Sequence, residues 1–483
     1  MADSLRLLTQ IRRATAGIDC GTTAAQTLAL LGVVDIALNT LQLQTSSDFY
    51  IAHIADGKRL VDEASDLAGA PASFTPALDL NPELRAEAFE RQIVAIRRLL
   101  TPFVVRLDER NPTHRNFLGR MSDWESAFYA HHLEQVQTSA GASTQFTRED
   151  LQTYLEAKYP SWAALNITKF VPLDGGFSKK TVLFETEDQL NGPQALVLRG
   201  EQAFDLLCYP GSAVSQEFFM IKLMRECGLP TAEPLWLESD DRHLGCRFIV
   251  SRKAEGRVYG GALGSDEALP PELVRSVVAT FIQMHNIKIS AQNPLATRSH
   301  LKEWLPHMAS LRDTTRFYVD EWLPRLVSLT KIPPSPQLER ALIWLQRNVP
   351  ESNETPVVLH GDFSFNNLML GEGAVTAVLD WESSRLGDPA EDIIWTQANI
   401  GAYMDMTEFL TIYEAGTGRK ITEQRLRYAR VVKCVLNAVA CLSAYTGLET
   451  RDDVGLNLGV LAYKYMGLFG SQFNSLIESA EQL

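Results

Sequence analysis

Cysteine is scarce in this chain and long apolar runs are missing. The six cysteines among 483 residues (Cys20, Cys208, Cys227, Cys246, Cys434 and Cys441) show no C-x-x-C spacing, and most sit among apolar neighbours. Neither a disulfide framework nor a zinc site is indicated. No stretch approaches the roughly 18 to 20 uninterrupted apolar residues of a membrane span. The longest apolar-rich run, 25–38, is broken by Gln26, Thr27 and Gly32 and carries Asp35. Arg6, Arg12 and Arg13 lack an adjacent apolar core with a small-residue cleavage site, so no signal peptide is expected and a cytoplasmic address is. Positive charge is also in deficit: 45 Lys and Arg against 59 Asp and Glu give a net charge of −14. That field repels polyphosphate backbones and anionic lipid, so neither nucleic acid nor a membrane is an expected partner.

What remains is an ordinary globular composition, 45% hydrophobic and 22% charged, in a chain long enough for two or three cores. Residues 1–145 read as a helical region: Leu28, Leu31, Val34 and Leu38 recur at helical spacing, Leu84, Phe89, Ile93, Ile96 and Leu100 form a second stripe, and 69–80 reads as a loop. A capped helix over 147–159 follows, with Glu149 and Asp150 near the positive end of its dipole. Within 146–256, strand-like runs at 167–173, 181–187 and 195–199 are separated by Gly175-Gly176 and Asn191-Gly192-Pro193, a helix spans 214–227, and two more strands fall at 233–237 and 247–251. Residues 257–483 return to helical periods, interrupted by short strands at 357–359, 367–370 and 375–379.

The sharpest signal lies at those interruptions. The apolar run Val357-Val358-Leu359 delivers His360-Gly361-Asp362 into a loop, Asn367 follows five residues after the Asp, and a further strand ends in Asp380-Trp381-Glu382. Two carboxylates and an amide oxygen thus stand at the open ends of adjacent strands. Phosphoryl transfer needs this set: one carboxylate to orient or deprotonate a hydroxyl, and an amide plus a carboxylate to hold Mg²⁺ against nucleotide phosphates.

These residues closely resemble the aminoglycoside-phosphotransferase family. The likeness extends to Gly175-Gly176-Phe177-Ser178 between two strands, Arg199 ending the third strand, Glu217 on the next helix, and Asp388-Pro389 with Asp392. The resemblance covers about residues 150 to 470. It implies an α+β, protein-kinase-like fold of two lobes, with a small antiparallel-sheet N-lobe at 146–256, a mostly helical C-lobe at 257–483, and the extra N-terminal helical region in front. It further implies ATP or GTP with Mg²⁺ as cofactors, Asp362 as the catalytic base, and Asn367 and Asp380 as metal ligands. Gly175, Gly176, Phe177 and Ser178 would cover the phosphates, Arg199 would contact them with Glu217 as its partner, and Arg252 and Ala254 would belong to the hinge that meets adenine. His360 and Asp392 are expected to brace the loop.

Arg199 stands where kinases usually keep Lys, in the run Leu196-Val197-Leu198-Arg199. This feature, with Glu255-Gly256-Arg257 and Asp380-Trp381-Glu382, resembles the branch of the family associated with acyl-CoA dehydrogenases. That branch implies a small-molecule alcohol as phosphate acceptor, with a hydroxyacyl-CoA as the sharper expectation. An antibiotic phosphotransferase and a non-catalytic nucleotide-binding scaffold stand as alternatives, the scaffold motivated by the loss of Lys. For residues 1–145 the expectation is a docking or homo-oligomerisation layer, with a cover over the acceptor pocket as the other reading.

Overall fold

The computed structural model describes residues 47–68, 85–133, 146–158, 166–173, 178–188, 192–202, 206, 213–259, 269–330, 335–450, 460–465, 469 and 472–481. The helix expected at 25–38, the loop at 69–80 and the segment Gly175-Gly176-Phe177 lie outside the described residues. In chain order the first helices are α1 (Ser47–Ala68), α2 (Arg85–Arg106), α3 (Pro112–Leu133) and α4 (Arg148–Lys158). Strands β1 (Asn166–Leu173), β2 (Lys179–Asp188) and β3 (Gly192–Glu201) follow, then α5 (Val214–Glu226), β4 (Pro234–Glu238) and β5 (Phe248–Arg252). Beyond them come α6 (Pro271–His285), α7 (Leu311–Phe317), α8 (Leu323–Thr330) and α9 (Pro336–Arg347). The rest comprises β6 (Val357–Leu359), β7 (Leu368–Leu370), β8 (Val375–Val378), β9 (Arg385–Gly387), α10 (Pro389–Ile400), α11 (Met406–Thr417), α12 (Glu423–Thr450) and α13 (Phe473–Glu481).

Two compact units emerge. One spans 142–322 and 349–430; the other combines 1–141, 323–348 and 431–483. In the first, five strands form an antiparallel sheet ordered β1-β2-β3-β5-β4. Ile167, Val182, Phe184, Leu196, Leu198, Phe248 and Val250 face one side and are buried against Phe146 and against Leu151, Tyr154 and Leu155 of α4, with the β1–β2 register shifting after Ile167. The opposite face carries Val171, Leu183 and Val197 in register, and in the next row Thr181, Arg199 and Ile249. Helix α5 stops where Gly228 adopts φ +83° and Pro230 follows, both unable to continue a helix.

The helical lobe of the same unit is organised on α6. Its stripe of Leu273, Val274, Val277, Val278, Phe281 and Met284 is buried at the three- and four-residue spacing of one helical face. Phe281 meets Phe363 edge-on at 5.0 Å and Phe409 at 5.7 Å, so an aromatic cluster lies directly behind the loop that follows β6. The segment joining the lobes is pinned by Gly256, whose φ of +96° leaves any Cβ 2.4 Å from the Leu370 carbonyl oxygen; only glycine fits there. Arg257 then exchanges backbone hydrogen bonds with Leu370 (3.0 and 2.9 Å), docking the connection on the β7–β8 hairpin.

The second unit is helical. Buried Arg97 of α2 and Glu125 of α3 form an ion pair at 3.2 Å, and the other oxygen of Glu125 accepts the Gln337 N–H at the start of α9. Arg340 of α9 reaches Glu109 at 3.1 Å and Asn474 of α13 at 2.8 Å. Thus the N-terminal helices bury their polar groups against segments more than two hundred residues downstream. Helix α12 has the length to cross a bilayer, but 61% of its most apolar window is buried inside the protein.

Candidate active site

Buried strand β6 pairs with β9 and ends at His360-Gly361-Asp362. Gly361, at φ +81°, passes so close to Ser383 that a Cβ would stand 2.5 Å from its carbonyl oxygen. Asp392 of α10 accepts the His360 N–H (2.7 Å) on one oxygen and the Gly361 N–H (2.8 Å) on the other, and lies 3.3 Å from His285 Nε2. Burial alone would raise the pKa of Asp392, but these hydrogen bonds and the His285 ring hold it below the usual carboxylate value. His360 Nε2 donates to the Leu379 carbonyl at 2.8 Å, which leaves Nδ1 to accept the Asp362 N–H at 3.2 Å. Both ring nitrogens are therefore engaged by backbone, and burial pushes the imidazole pKa down. The ring is neutral and braces both loops, with no nitrogen left for proton transfer.

Asn367 Nδ2 donates to Asp362 Oδ2 (2.8 Å) and to the Asp362 carbonyl (3.0 Å), so its own Oδ1 turns away and accepts from Asn366 (3.1 Å). The Leu379 N–H donates to the Asn367 carbonyl (2.8 Å) and brings the loop carrying Asp380 alongside. Asp380 has φ +63°, the one described non-glycine residue in the left-handed region, a conformation that costs roughly 1–2 kcal/mol. Burial, seconded by the Asp380 charge, pushes the Asp362 pKa up to about 7, against hydrogen bonds from Ser364 and Asn367 that oppose the shift.

The sheet supplies the facing groups. Arg199 Nη2 lies 2.8 Å from Asp380 Oδ1 and 3.5 Å from Glu217 Oε1. Its hydrogen bond goes to Asp380; among the described residues neither oxygen of fully buried Glu217 has a hydrogen-bond partner. Burial pushes the Glu217 pKa up to about 7 although Arg199 opposes the shift. Ser178 Oγ donates to Glu382 Oε1 at 2.6 Å, and Lys179 Nζ lies 2.9 Å from Glu382 Oε2. Arg252, by contrast, is turned to the sheet end: its side chain pairs with Glu233 at 2.8 Å and bonds Gln194, and its N–H donates to the Glu233 carbonyl. Ala254 follows Lys253, whose N–H donates to the Ala195 carbonyl (2.9 Å).

The structure therefore gathers Asp362, Asn367, Asp380, Arg199, Glu217 and Ser178, while the Arg252 side chain points elsewhere. Sequence reading did not single out Lys179 as a site residue. Strand alternation carries the missing signal, because Lys179 shares a face with Thr181, the cross-strand partner of Arg199. Four carboxylates (Asp362, Asp380, Glu382 and Glu217) face two cations, Arg199 and Lys179. More carboxylates than cations, with neither Glu217 oxygen hydrogen-bonded among the described residues, fits a divalent cation. Among the described residues no three His, Cys, Asp or Glu side chains cluster tightly enough to cage an ion alone. That donor set suits Mg²⁺, which binds through one or two protein oxygens plus phosphate and water.

A small antiparallel lobe over a helical lobe, with Asp, Asn and Asp loops below a strand-borne cation, defines a kinase-like phosphotransferase. A sequence model of the phosphotransferase enzyme family matches residues 169–428, more than half of the chain, and the chain belongs to that family. It is 26% identical over 266 residues to mouse acyl-CoA dehydrogenase family member 11, covering 52% of this chain and 30% of that protein. It is 27% identical over 238 residues to mouse acyl-CoA dehydrogenase family member 10, covering 47% and 20% respectively. The chain thus spans under a third of the length of these relatives. Among solved structures, a thermostable mutant of aminoglycoside phosphotransferase APH(4)-Ia, in ternary complex with AMP-PNP and hygromycin B, is similar with a TM-score of 0.47 and 15% identity. That match covers 69% of this chain and 99% of the other.

Proposed function

We propose that this phosphotransferase moves the γ-phosphoryl group of ATP or GTP, with Mg²⁺, to a hydroxyl of a small metabolite, and that the metabolite is a hydroxyacyl-CoA. One observation supports the transfer chemistry: Asn367 hydrogen-bonds Asp362, Arg199 hydrogen-bonds Asp380, and the Leu379 N–H on the Asn367 carbonyl ties the two pairs together. The acceptor class is supported by the family relatives named for acyl-CoA dehydrogenases. Mg²⁺, when bound by Asp380 and Asn367, supplies charge neutralisation for the phosphates.

The chain's own residues account for the remaining steps. The half-exposed row Val171, Leu183 and Val197 offers an apolar ceiling for the nucleobase, one strand row from Arg199. Arg199 contacts the phosphates and offsets charge accumulating on the departing nucleotide. Asp362 accepts the acceptor's hydroxyl proton as the new oxygen–phosphorus bond forms and the bond to the β-phosphate oxygen breaks, giving a phosphate ester and the nucleoside diphosphate. With a pKa near 7 it is basic enough to accept a proton at neutral pH, which an ordinary Asp is not.

Nucleoside diphosphate release, measured against a panel of alcohols that includes 3- and 4-hydroxyacyl-CoA and an aminoglycoside, tests this reading. Turnover confined to the acyl-CoA members is expected. Turnover with the aminoglycoside alone would overturn the acceptor class, and nucleotide binding that ignores Mg²⁺ and supports no turnover would instead identify a scaffold.

A further inference from the structure

Two cations on the sheet face opposite its core are each held by a carboxylate from one short loop. Arg199 meets Asp380 at 2.8 Å and Lys179 meets Glu382 at 2.9 Å. Asp380 and Glu382 are two residues apart, while Lys179 opposes Glu201 and Thr181 opposes Arg199 across the β2–β3 ladder. Lys179 therefore lies diagonal to Arg199 on the same face. It is also the first residue of β2, directly after the segment expected to cover the phosphates, and Ser178 before it hydrogen-bonds the other oxygen of the same Glu382. One carboxylate thus occupies both polar side chains at the end of that segment. Lys179 is only 6% exposed and Glu382 10%, so the pair is well shielded from solvent competition.

We propose that Lys179 is a second phosphate-binding cation and that Glu382 is its internal place-holder, giving up Lys179 and Ser178 when the anionic phosphates of the nucleotide arrive. The proposal rests on the phosphotransferase reading above and adds a binding role to a residue outside the Asp362, Asn367 and Asp380 set. Its chemistry is an exchange of partners: a carboxylate with two oxygens held by one hydroxyl and one ammonium is replaced by phosphate oxygens that present the same acceptors with more charge. Glu382 then competes with the nucleotide for Lys179, so the apparent affinity falls by the fraction of time the pair is closed.

Two opposite signs follow, read by calorimetry of the full chain with ADP in EDTA and with Mg²⁺-ADP. Lys179→Met, close in length and uncharged, should weaken Mg²⁺-ADP binding about tenfold, and Lys179→Arg should recover most of that loss. Glu382→Gln should tighten ADP binding in EDTA about three- to tenfold, and the gain should vanish when Lys179→Met is added. A thermal melt of each variant confirms that it is folded. Unchanged ADP affinity in folded Lys179→Met, or weaker ADP binding in Glu382→Gln, overturns the proposal. If wild type binds Mg²⁺-ADP and Asp380→Ala loses it while the Lys179 variants match wild type, the exchange alone falls. If wild type binds neither form, the phosphotransferase reading falls with it.

Discussion

Burial of the Asp362 carboxyl costs stability, and its replacement measures that cost. Its carboxyl pKa is about 7 in the folded protein against about 3.9 in an unfolded chain. The folded state therefore binds this proton more tightly. The stabilisation is fully present below about pH 4 and is lost as pH rises through 7. Three units at about 1.36 kcal/mol each give about 4 kcal/mol, and because the side chain keeps some solvent contact about half of that, ~2 kcal/mol, is the realistic share. Asp362→Asn is neutral at every pH, so it escapes the loss. The amide has its own misfit, since one oxygen and one NH₂ must replace two acceptors that now receive Ser364 and Asn367. That misfit costs about 1 kcal/mol but does not change with pH. The test is therefore a difference of differences. Only about two of those three units fall between pH 5 and pH 8, so thermal melts of the ligand-free full chain should show the Tm of Asp362→Asn, relative to wild type, about 3–5 °C higher at pH 8 than at pH 5. The same variant should lose turnover by orders of magnitude. A Tm difference that does not move with pH would refute the buried-base argument even if activity were lost.

Asp380→Ala should weaken Mg²⁺-nucleotide binding at least tenfold by calorimetry, while nucleotide alone in EDTA binds no worse, because Arg199 is released from its present partner. Asp392→Asn should lower unfolding free energy by about 2–4 kcal/mol in denaturant titration, since a carboxylate now accepts two backbone N–H groups and faces His285. Gly256→Ala should destabilise by about 3 kcal/mol or more and slow turnover, because a methyl group would meet the Leu370 carbonyl oxygen in a left-handed conformation; a melt within 1 °C of wild type would contradict that geometry. Wild-type binding of Mg²⁺-ADP near pH 6.5 should release protons, because Asp362 and Glu217 are both partly protonated there; calorimetry in two buffers of different ionisation enthalpy reads this directly.

The lobes were legible in the sequence because their signals are local. Alternation of Val182, Phe184, Leu196 and Leu198 names a sheet face, Gly228 and Pro230 stop a helix, and Val357-Val358-Leu359 before His-Gly-Asp sets the loop carrying Asp362 at the mouth of a strand. What stayed hidden is long-range. The periodic helices before residue 134 say that they have an apolar stripe, but nothing in them names 336–347 or 473–481 as the partner that meets Arg97, Glu125 and Glu109. The same limit applies within the site. Asp362, Asn367 and Asp380 stand out because a motif groups them, whereas Lys179 reads as one basic residue of a Lys-Lys pair until Glu382, some two hundred positions later, closes on it.

That asymmetry bears on the meaning of Arg199. Read alone, Arg in place of Lys suggests a weakened phosphate contact, and its long fork reaches Asp380 before Glu217. Beside Lys179, Arg199 is one of two cations facing the same loop: its fork takes the Asp380 carboxylate, and an ammonium one strand away takes Glu382, two residues along. Glu217 lies 3.5 Å from Arg199 without a hydrogen bond among the described residues, and burial pushes its carboxyl pKa up to about 7. Glu217→Gln should therefore raise the Tm of the ligand-free chain at pH 8 and leave it nearly unchanged at pH 5, by the same linkage that governs Asp362. It should also reduce the additional stabilisation that Mg²⁺-ADP confers at pH 8. If Glu217→Gln instead lowers the Tm at pH 8, its pairing with Arg199 outweighs its burial, and the charge excess assigned to this site is overstated.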